Sequence, residues 1–141
     1  TRGRVVRRLI GGYVASHPNA RAVVNLGSQA YFSLLKYCAA MLGNSSSGII
    51  EAASFRLPVV NVGNRQRGRM HGPNVVNVDY ERDAILGGVR KVLDPEFRAS
   101  LTDLINPYGD GHAAERITAV LKQVPLDKRL TLKRFHEVTP G

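Results

Sequence analysis

The chain has 141 residues, 43% hydrophobic and 22% charged, which is enough for one domain with its own core and is ordinary for a globular protein. No apolar run approaches the roughly 20 residues needed to cross a bilayer, so no membrane partner is expected, and no secretory leader is visible. A net charge of +9 raises nucleic acid as a partner, but the basic residues fall in three scattered groups without an aromatic-and-basic RNA motif, so an anionic small ligand is expected rather than nucleic acid.

The single cysteine, Cys38, excludes an internal disulfide and fits a reducing compartment, so a cytoplasmic location is expected. Val5, Val6, Leu9, Ile10 and Tyr13 recur at helical spacing and predict an amphipathic helix from about Gly3 to Ser16, ended by Pro18. The chain opens almost directly in this helix, without Met, which reads as part of something longer whose first strand lies upstream of Thr1. Ala22-Val23-Val24-Asn25-Leu26 predicts a short buried strand, and Gly27-Ser28 caps the next helix. That helix is apolar through Ala30, Phe32, Leu34, Leu35 and Cys38; Tyr31, near its start, either borders a ligand's base or is an ordinary core aromatic.

A short strand and a serine-rich loop follow, with a helix to about Phe55. Pro58 to Val62 and Asn74 to Val78 predict two more strands, separated by an arginine-rich loop, Gly63 to Gly72. Helices are expected at about 82–93, 95–104 and 111–123, with a tight turn at Asn106-Pro107-Tyr108-Gly109-Asp110-Gly111 whose Asp110 can cap the last of them. Strands alternating with helices predict an α/β domain over residues 1–124, a parallel sheet with helices on both faces. From Pro125 to residue 141 the composition becomes a basic tail, with Lys128, Arg129, Lys133 and Arg134, that needs something else to pack on.

The chain is organised around Met41-Leu42-Gly43-Asn44-Ser45-Ser46-Ser47-Gly48-Ile49-Ile50-Glu51-Ala52. An apolar run ends in small and hydroxylic residues, then resumes at helical spacing: strand, tight loop, helix start. Gly43 permits a backbone that a side chain would block, and Asn44 and the serines suit a helix N-terminus. Free N–H groups and serine hydroxyls there make an anion site, with a diphosphate as its usual guest. Ile49-Ile50 stand where a P-loop needs Lys-Ser/Thr, and no G-x-G-x-x-G occurs, so ATP chemistry is not expected. The plainer reading is a capped turn. Glu51 sits one turn in from the loop, on the face of Ser47, where a carboxylate can accept from both hydroxyls of a ribose; the plainer reading is a solvated glutamate. One of Arg65, Arg67 and Arg69 could pair with a diphosphate. Zinc-ligand spacings and a Gly-x-Ser-x-Gly elbow are missing from the sequence, so no metal or cofactor is expected, and the serines read as binders rather than nucleophiles.

Three stretches, Gly43 to Ala52, Pro58 to Arg69 and Asn106 to Gly111, together resemble the UDP-N-acetylglucosamine 2-epimerases, in order and in spacing, over nearly the whole chain. The resemblance implies the second, UDP-holding, Rossmann-like domain of a two-domain fold like that of the B-type glycosyltransferases. It implies that Ser45 and Ser46, with Asn44 and Ser47 beside them, hold the diphosphate of a UDP-sugar. It places Glu51 on the ribose, Arg65 near the phosphates and Tyr31 near the uracil. The non-hydrolysing branch carries Asp-Ser-Gly-Gly at the loop, so Asn44-Ser45-Ser46-Ser47-Gly48 with a single Glu51 is similar to the hydrolysing branch, which releases UDP and N-acetylmannosamine for sialic-acid-type sugar synthesis. Catalytic residues are expected in the first domain, so the chain alone is expected not to turn over substrate, and a homo-oligomer is expected. The alternatives are a non-hydrolysing UDP-sugar 2-epimerase and a phosphosugar-binding isomerase or regulatory domain.

Overall fold

The computed structural model describes residues 2–132; Lys133 and Arg134 of the predicted tail lie outside them. The elements run α1 (Arg2–Ser16), α2 (Gly27–Tyr37), β1 (Met41–Gly43), α3 (Ser47–Ile50), a 3-10 turn (Ala52–Phe55), β2 (Val59–Val62), β3 (Val75–Val78), α4 (Arg82–Leu93), α5 (Pro95–Ala99), α6 (Ala113–Gln123) and α7 (Lys128–Thr131). The three strands form one parallel sheet in the order β1-β2-β3, with Met41 beside Val59 and Val59 beside Val75. Parallel strands need crossovers, and the stretches between them supply a helical one and a loop.

Alternation along the strands puts Val59, Asn61, Val75 and Asn77 on one face and Val60, Val62, Val76 and Val78 on the other. The second face is covered by α4, whose Gly88 lies against Val60 and Val78. The first is covered by α2, α3 and the 3-10 turn, through a cluster of Leu35, Ile49, Ala52, Leu57, Val59 and Val75 with Tyr31, Cys38, Met41 and Phe55 packed against it. The expected α/β architecture, with helices on both faces of a parallel sheet, is therefore the observed one. Asn74, fully buried, ties the entry to β2 to that of β3: its Nδ2 donates to the Leu57 carbonyl at 2.9 Å while its own carbonyl accepts from the Val59 N–H at 2.8 Å.

Several expectations need correction. The predicted strand at Ala22 to Leu26 is irregular chain, and Val23, Val24 and Leu26 are exposed. A β-branched run becomes a strand only where a ladder partner exists. Here β1 pairs with β2 alone, so three strands are described where about four were expected. The helix after the serine loop does not run to Phe55 as one element. It is a single α-turn followed by a 3-10 turn, closed at Arg56 in the left-handed region (φ 53°), which turns the chain into Leu57-Pro58. The helix begun by Pro95 ends at Ala99 and gives way to turns. Asp94 caps it, accepting from the Glu96 and Phe97 N–H groups at 2.8 and 3.2 Å. The helix α1 forms as predicted, but its apolar face is not buried by the described chain: Val5, Val6, Leu9, Ile10 and Tyr13 are exposed. Cys38 is half-buried.

Candidate functional site

Gly43 ends β1 at φ 150°, a conformation that a side chain disfavours, and so releases the chain into Asn44-Ser45-Ser46. At the next glycine the need is for space. A Cβ on Gly48 would stand 2.9 Å from Val59 Cγ1 and 3.5 Å from Met41 Sδ, so α3 lies directly on β1 and β2. Ile49, 1% exposed, drives its side chain into the core and fixes that contact.

Ser46 is the N-cap residue of α3 but makes no side-chain cap bond. The Ser45 hydroxyl accepts from the Ser47 N–H at 3.3 Å, and the Ser45 and Ser46 carbonyls accept from Gly48 and Ile49. Among the described residues no group accepts from the N–H of Ser45 or Ser46. A single helical turn has a small dipole, so what this loop can offer an anion is these donors and the hydroxyls, more than the aligned peptides of a long helix.

The seven residues singled out from the sequence fall out as follows. Asn44, Ser45, Ser46 and Ser47 form the loop. Tyr31 is drawn to it: its hydroxyl lies 2.6 Å from Ser47 Oγ, joining α2 to the loop while its ring packs on the core. Glu51 follows one turn on, and its Oε2 is buried without a hydrogen-bond partner. Arg65 is exposed in the loop after β2. Its neighbour Gln66, which sequence reasoning passed over, turns inward instead. Gln66 is 5% exposed and its Nε2 donates to the Asn44 carbonyl at 2.8 Å, fastening the arginine loop to the serine loop. A glutamine among arginines carries no sequence signal for burial.

A cavity of about 460 Å³ opens beside Glu51, walled by Phe32, Phe55, Tyr108, Asp110 and Arg116. The Asn106 to Gly111 turn forms its far side. Asn106 holds that turn in place, donating from Nδ2 to the Ile50 carbonyl at 2.9 Å and to Ser54 Oγ at 2.7 Å. Tyr108 Oη donates to the Met70 carbonyl at 2.8 Å. Asp110 does not cap α6 as expected. His112 occupies the N-cap, while Asp110 accepts from the His112 N–H at 3.1 Å and pairs with the Arg116 guanidinium across the first turn. A second cavity, of about 450 Å³, lies at the carboxyl ends of β2 and β3, with Asn61, Gln66, Arg67, His71, Asn77 and Tyr80 in its wall.

The Arg116 guanidinium, then the His112 N–H, hold the Asp110 carboxyl below the usual carboxylate range. A depressed folded-state value stabilises above the unfolded value and is lost as pH falls through the folded one. The cavity turn should therefore loosen only in acid, below about pH 4. An NMR titration should find the Asp110 carboxyl midpoint lowered in the native chain and restored to the ordinary range in Arg116→Met. An unchanged midpoint would show that the pair is not formed in solution.

The pattern that defines the family described as UDP-N-acetylglucosamine 2-epimerase matches residues 2–122. A Legionella pneumophila protein named UDP-N,N'-diacetylbacillosamine 2-epimerase (hydrolyzing) is 44% identical over 134 residues, covering 94% of this chain and 34% of the relative. The Escherichia coli polysialic acid biosynthesis protein P7 is 30% identical over 126 residues, 89% of this chain and 32% of the relative. A Campylobacter jejuni protein named GDP/UDP-N,N'-diacetylbacillosamine 2-epimerase (hydrolyzing) is 37% identical over 97 residues, 68% of this chain and 25% of the relative. The chain spans about a third or less of the length of these relatives. With the family's pattern lying over the serine loop, Glu51 and the Asn106 to Gly111 turn across the cavity from Glu51, the chain belongs to the UDP-N-acetylglucosamine 2-epimerase family.

Proposed function

We propose that this chain is the UDP-binding part of a hydrolysing UDP-N-acetylglucosamine 2-epimerase. The serine loop seats the diphosphate through Ser45 and Ser46, with Asn44 and Ser47 shaping it. Glu51 accepts from the ribose hydroxyls, Arg65 approaches the phosphates from its loop, and Tyr31 borders the uracil. The observation that carries this reading is the buried, unpartnered Oε2 of Glu51 beside a cavity and one turn from unpaired N–H donors. A buried carboxylate oxygen with no donor is costly, and a ribose supplies the two O–H groups that it lacks. The names of two relatives support the hydrolysing outcome. They also favour a second reading of the substrate, in which the sugar is N,N'-diacetylbacillosamine.

In the proposed reaction the C2 proton and the UDP leaving group depart across the first two sugar carbons, and water then adds to give free N-acetylmannosamine. The task of this chain is to hold the negative charge that builds on UDP as the C1–O bond breaks. Fixed donors around the diphosphate do this electrostatically, each worth about 3 kcal/mol in rate in known cases. The groups that move the C2 proton belong to the rest of the longer protein. The exposed apolar side chains of α1 support packing against further protein, in line with the expected homo-oligomer.

Ser45→Ala tests the diphosphate seat. It should weaken both UDP and inorganic pyrophosphate by about 1.5 kcal/mol or more, the scale of one hydrogen bond to a charged group. Calorimetry with the two ligands checks it; unchanged affinity for both would remove Ser45 from the site.

A further inference from the structure

Stability does not account for a glutamine at position 66. Gln66 is 5% exposed, on a turn held by the Arg67 N–H to the Asn64 carbonyl at 3.0 Å and the Arg69 N–H to the Gln66 carbonyl at 3.2 Å. Its Oε1 is buried and meets no donor among the described residues. The other amides in the same cavity wall are engaged elsewhere: Asn61 Nδ2 donates to Asn77 Oδ1 at 2.8 Å, and Asn77 Nδ2 lies 3.2 Å from His71 Nε2. The Gln66 amide is held instead by its bond from Nε2 to the Asn44 carbonyl at 2.8 Å. A carbonyl can only accept, so the amide faces it with its NH2 end. An unmet buried acceptor costs the fold about as much as one neutral hydrogen bond returns, so the pair of effects leaves little net gain.

What the bond does is orient a peptide. The Asn44 carbonyl and the Ser45 N–H belong to one trans peptide unit, so they point in opposite directions. With the carbonyl drawn to Gln66, the Ser45 N–H is turned away from the arginine loop, and it has no acceptor among the described residues. That N–H and the one of Ser46 are the backbone donors of the proposed diphosphate seat. The Asn44–Ser45 peptide lies between β1 and α3, just after Gly43 with its φ of 150°, so regular structure does not set its plane. Rotating it by half a turn would put a carbonyl oxygen where the N–H stands, and that oxygen repels an anion.

Resting on the diphosphate reading above, we infer that Gln66 is a positioning residue: by holding the Asn44 carbonyl it aims the Ser45 N–H at the leaving diphosphate, and it ties that aim to the loop that carries Arg65. Pyrophosphate calorimetry, urea melts and NMR of the 141-residue chain test this with Gln66→Met, which keeps the side-chain length and removes both amide ends. In the native chain, pyrophosphate should move the Ser45 and Ser46 amide protons downfield. In Gln66→Met, stability should be unchanged or higher, pyrophosphate should bind roughly tenfold more weakly, and the Ser45 response should vanish while that of Ser46 remains. Gln66→Glu should bind as weakly at neutral pH, and its gap from the native chain should narrow as the glutamate is protonated, because the neutral acid again donates to the Asn44 carbonyl. Native pyrophosphate affinity in Gln66→Met, or lost stability with both amide responses reduced alike, would make Gln66 a packing residue and overturn the inference. A Gln66→Glu gap that stays constant through that titration would contradict it as well. If pyrophosphate moves neither amide in the native chain, the diphosphate reading is what fails, and the positioning role goes with it.

Discussion

Glu51→Ala is expected to weaken UDP by about 3 kcal/mol, roughly a hundredfold, while leaving inorganic pyrophosphate nearly unchanged. The magnitude is that of two hydrogen bonds from ribose hydroxyls to a charged acceptor, each worth about 1.5–3 kcal/mol. Selectivity is the sharper part of the expectation, because pyrophosphate has no ribose. The same substitution should also leave the ligand-free chain as stable as before, or raise its stability by about 1 kcal/mol. The reason is that Oε2 of Glu51 is buried with no donor, and such a group costs the free fold what it later returns to the ligand. A core glutamate held for structural reasons would behave oppositely, losing stability on truncation. Calorimetry with the two ligands and urea melts of the free chain separate these outcomes; equal losses for UDP and pyrophosphate would remove Glu51 from the ribose.

The largest effect on the fold is expected from Ile49→Ala. Ile49 is 1% exposed and belongs to the cluster that joins α2 and α3 to β2 and β3. Truncating a buried isoleucine removes its transfer energy and leaves a cavity, together about 2–5 kcal/mol, and Ile49→Val should cost only about 1 kcal/mol. In a domain with a three-stranded sheet this is a large share of a total stability of about 5–15 kcal/mol. The position also lies two residues past Ser47. Loosening it should let the serine loop shift off the sheet, so phosphate affinity should fall along with stability. Urea denaturation at unchanged slope reads the first effect and pyrophosphate titration the second. A fully folded Ile49→Ala chain with native stability would contradict the packing described for α3.

The parts of this architecture that were legible in the sequence were those set by strong local signals. Pro95 marked a helix start and Gly43 a strand end, and the Val-Val-Asn-Val repeats at 59–62 and 75–78 became neighbouring strands in register. The Ala22 to Leu26 run has the same β-branched composition and did not become a strand, because a strand is defined by its partner and a composition cannot name one. In the case of α1, the helical period was read correctly, yet what covers its apolar stripe is a tertiary matter that the period does not address.

The serine loop and Glu51 were legible for a chemical reason. Small hydroxylic residues between a strand and a helix, with an acid one turn on, are unusual in combination, and their relation is local enough to follow from spacing. The Tyr31 to Ser47 contact, the inward turn of Gln66 and the Asn61, Asn77 and His71 chain were not legible. Each joins residues from different elements, and their side chains are of types that in isolation read as solvated loop or strand polars. The grip of Asn106 on the segment carrying Glu51, across 56 residues of sequence, is of the same kind.

The most direct test of the central claim is a crystal structure of this chain with UDP. The diphosphate should lie on the Ser45 and Ser46 N–H groups and hydroxyls, and both ribose hydroxyls should donate to the Glu51 carboxylate. A nucleotide bound away from the serine loop, with Oε2 of Glu51 still lacking a donor, would contradict it.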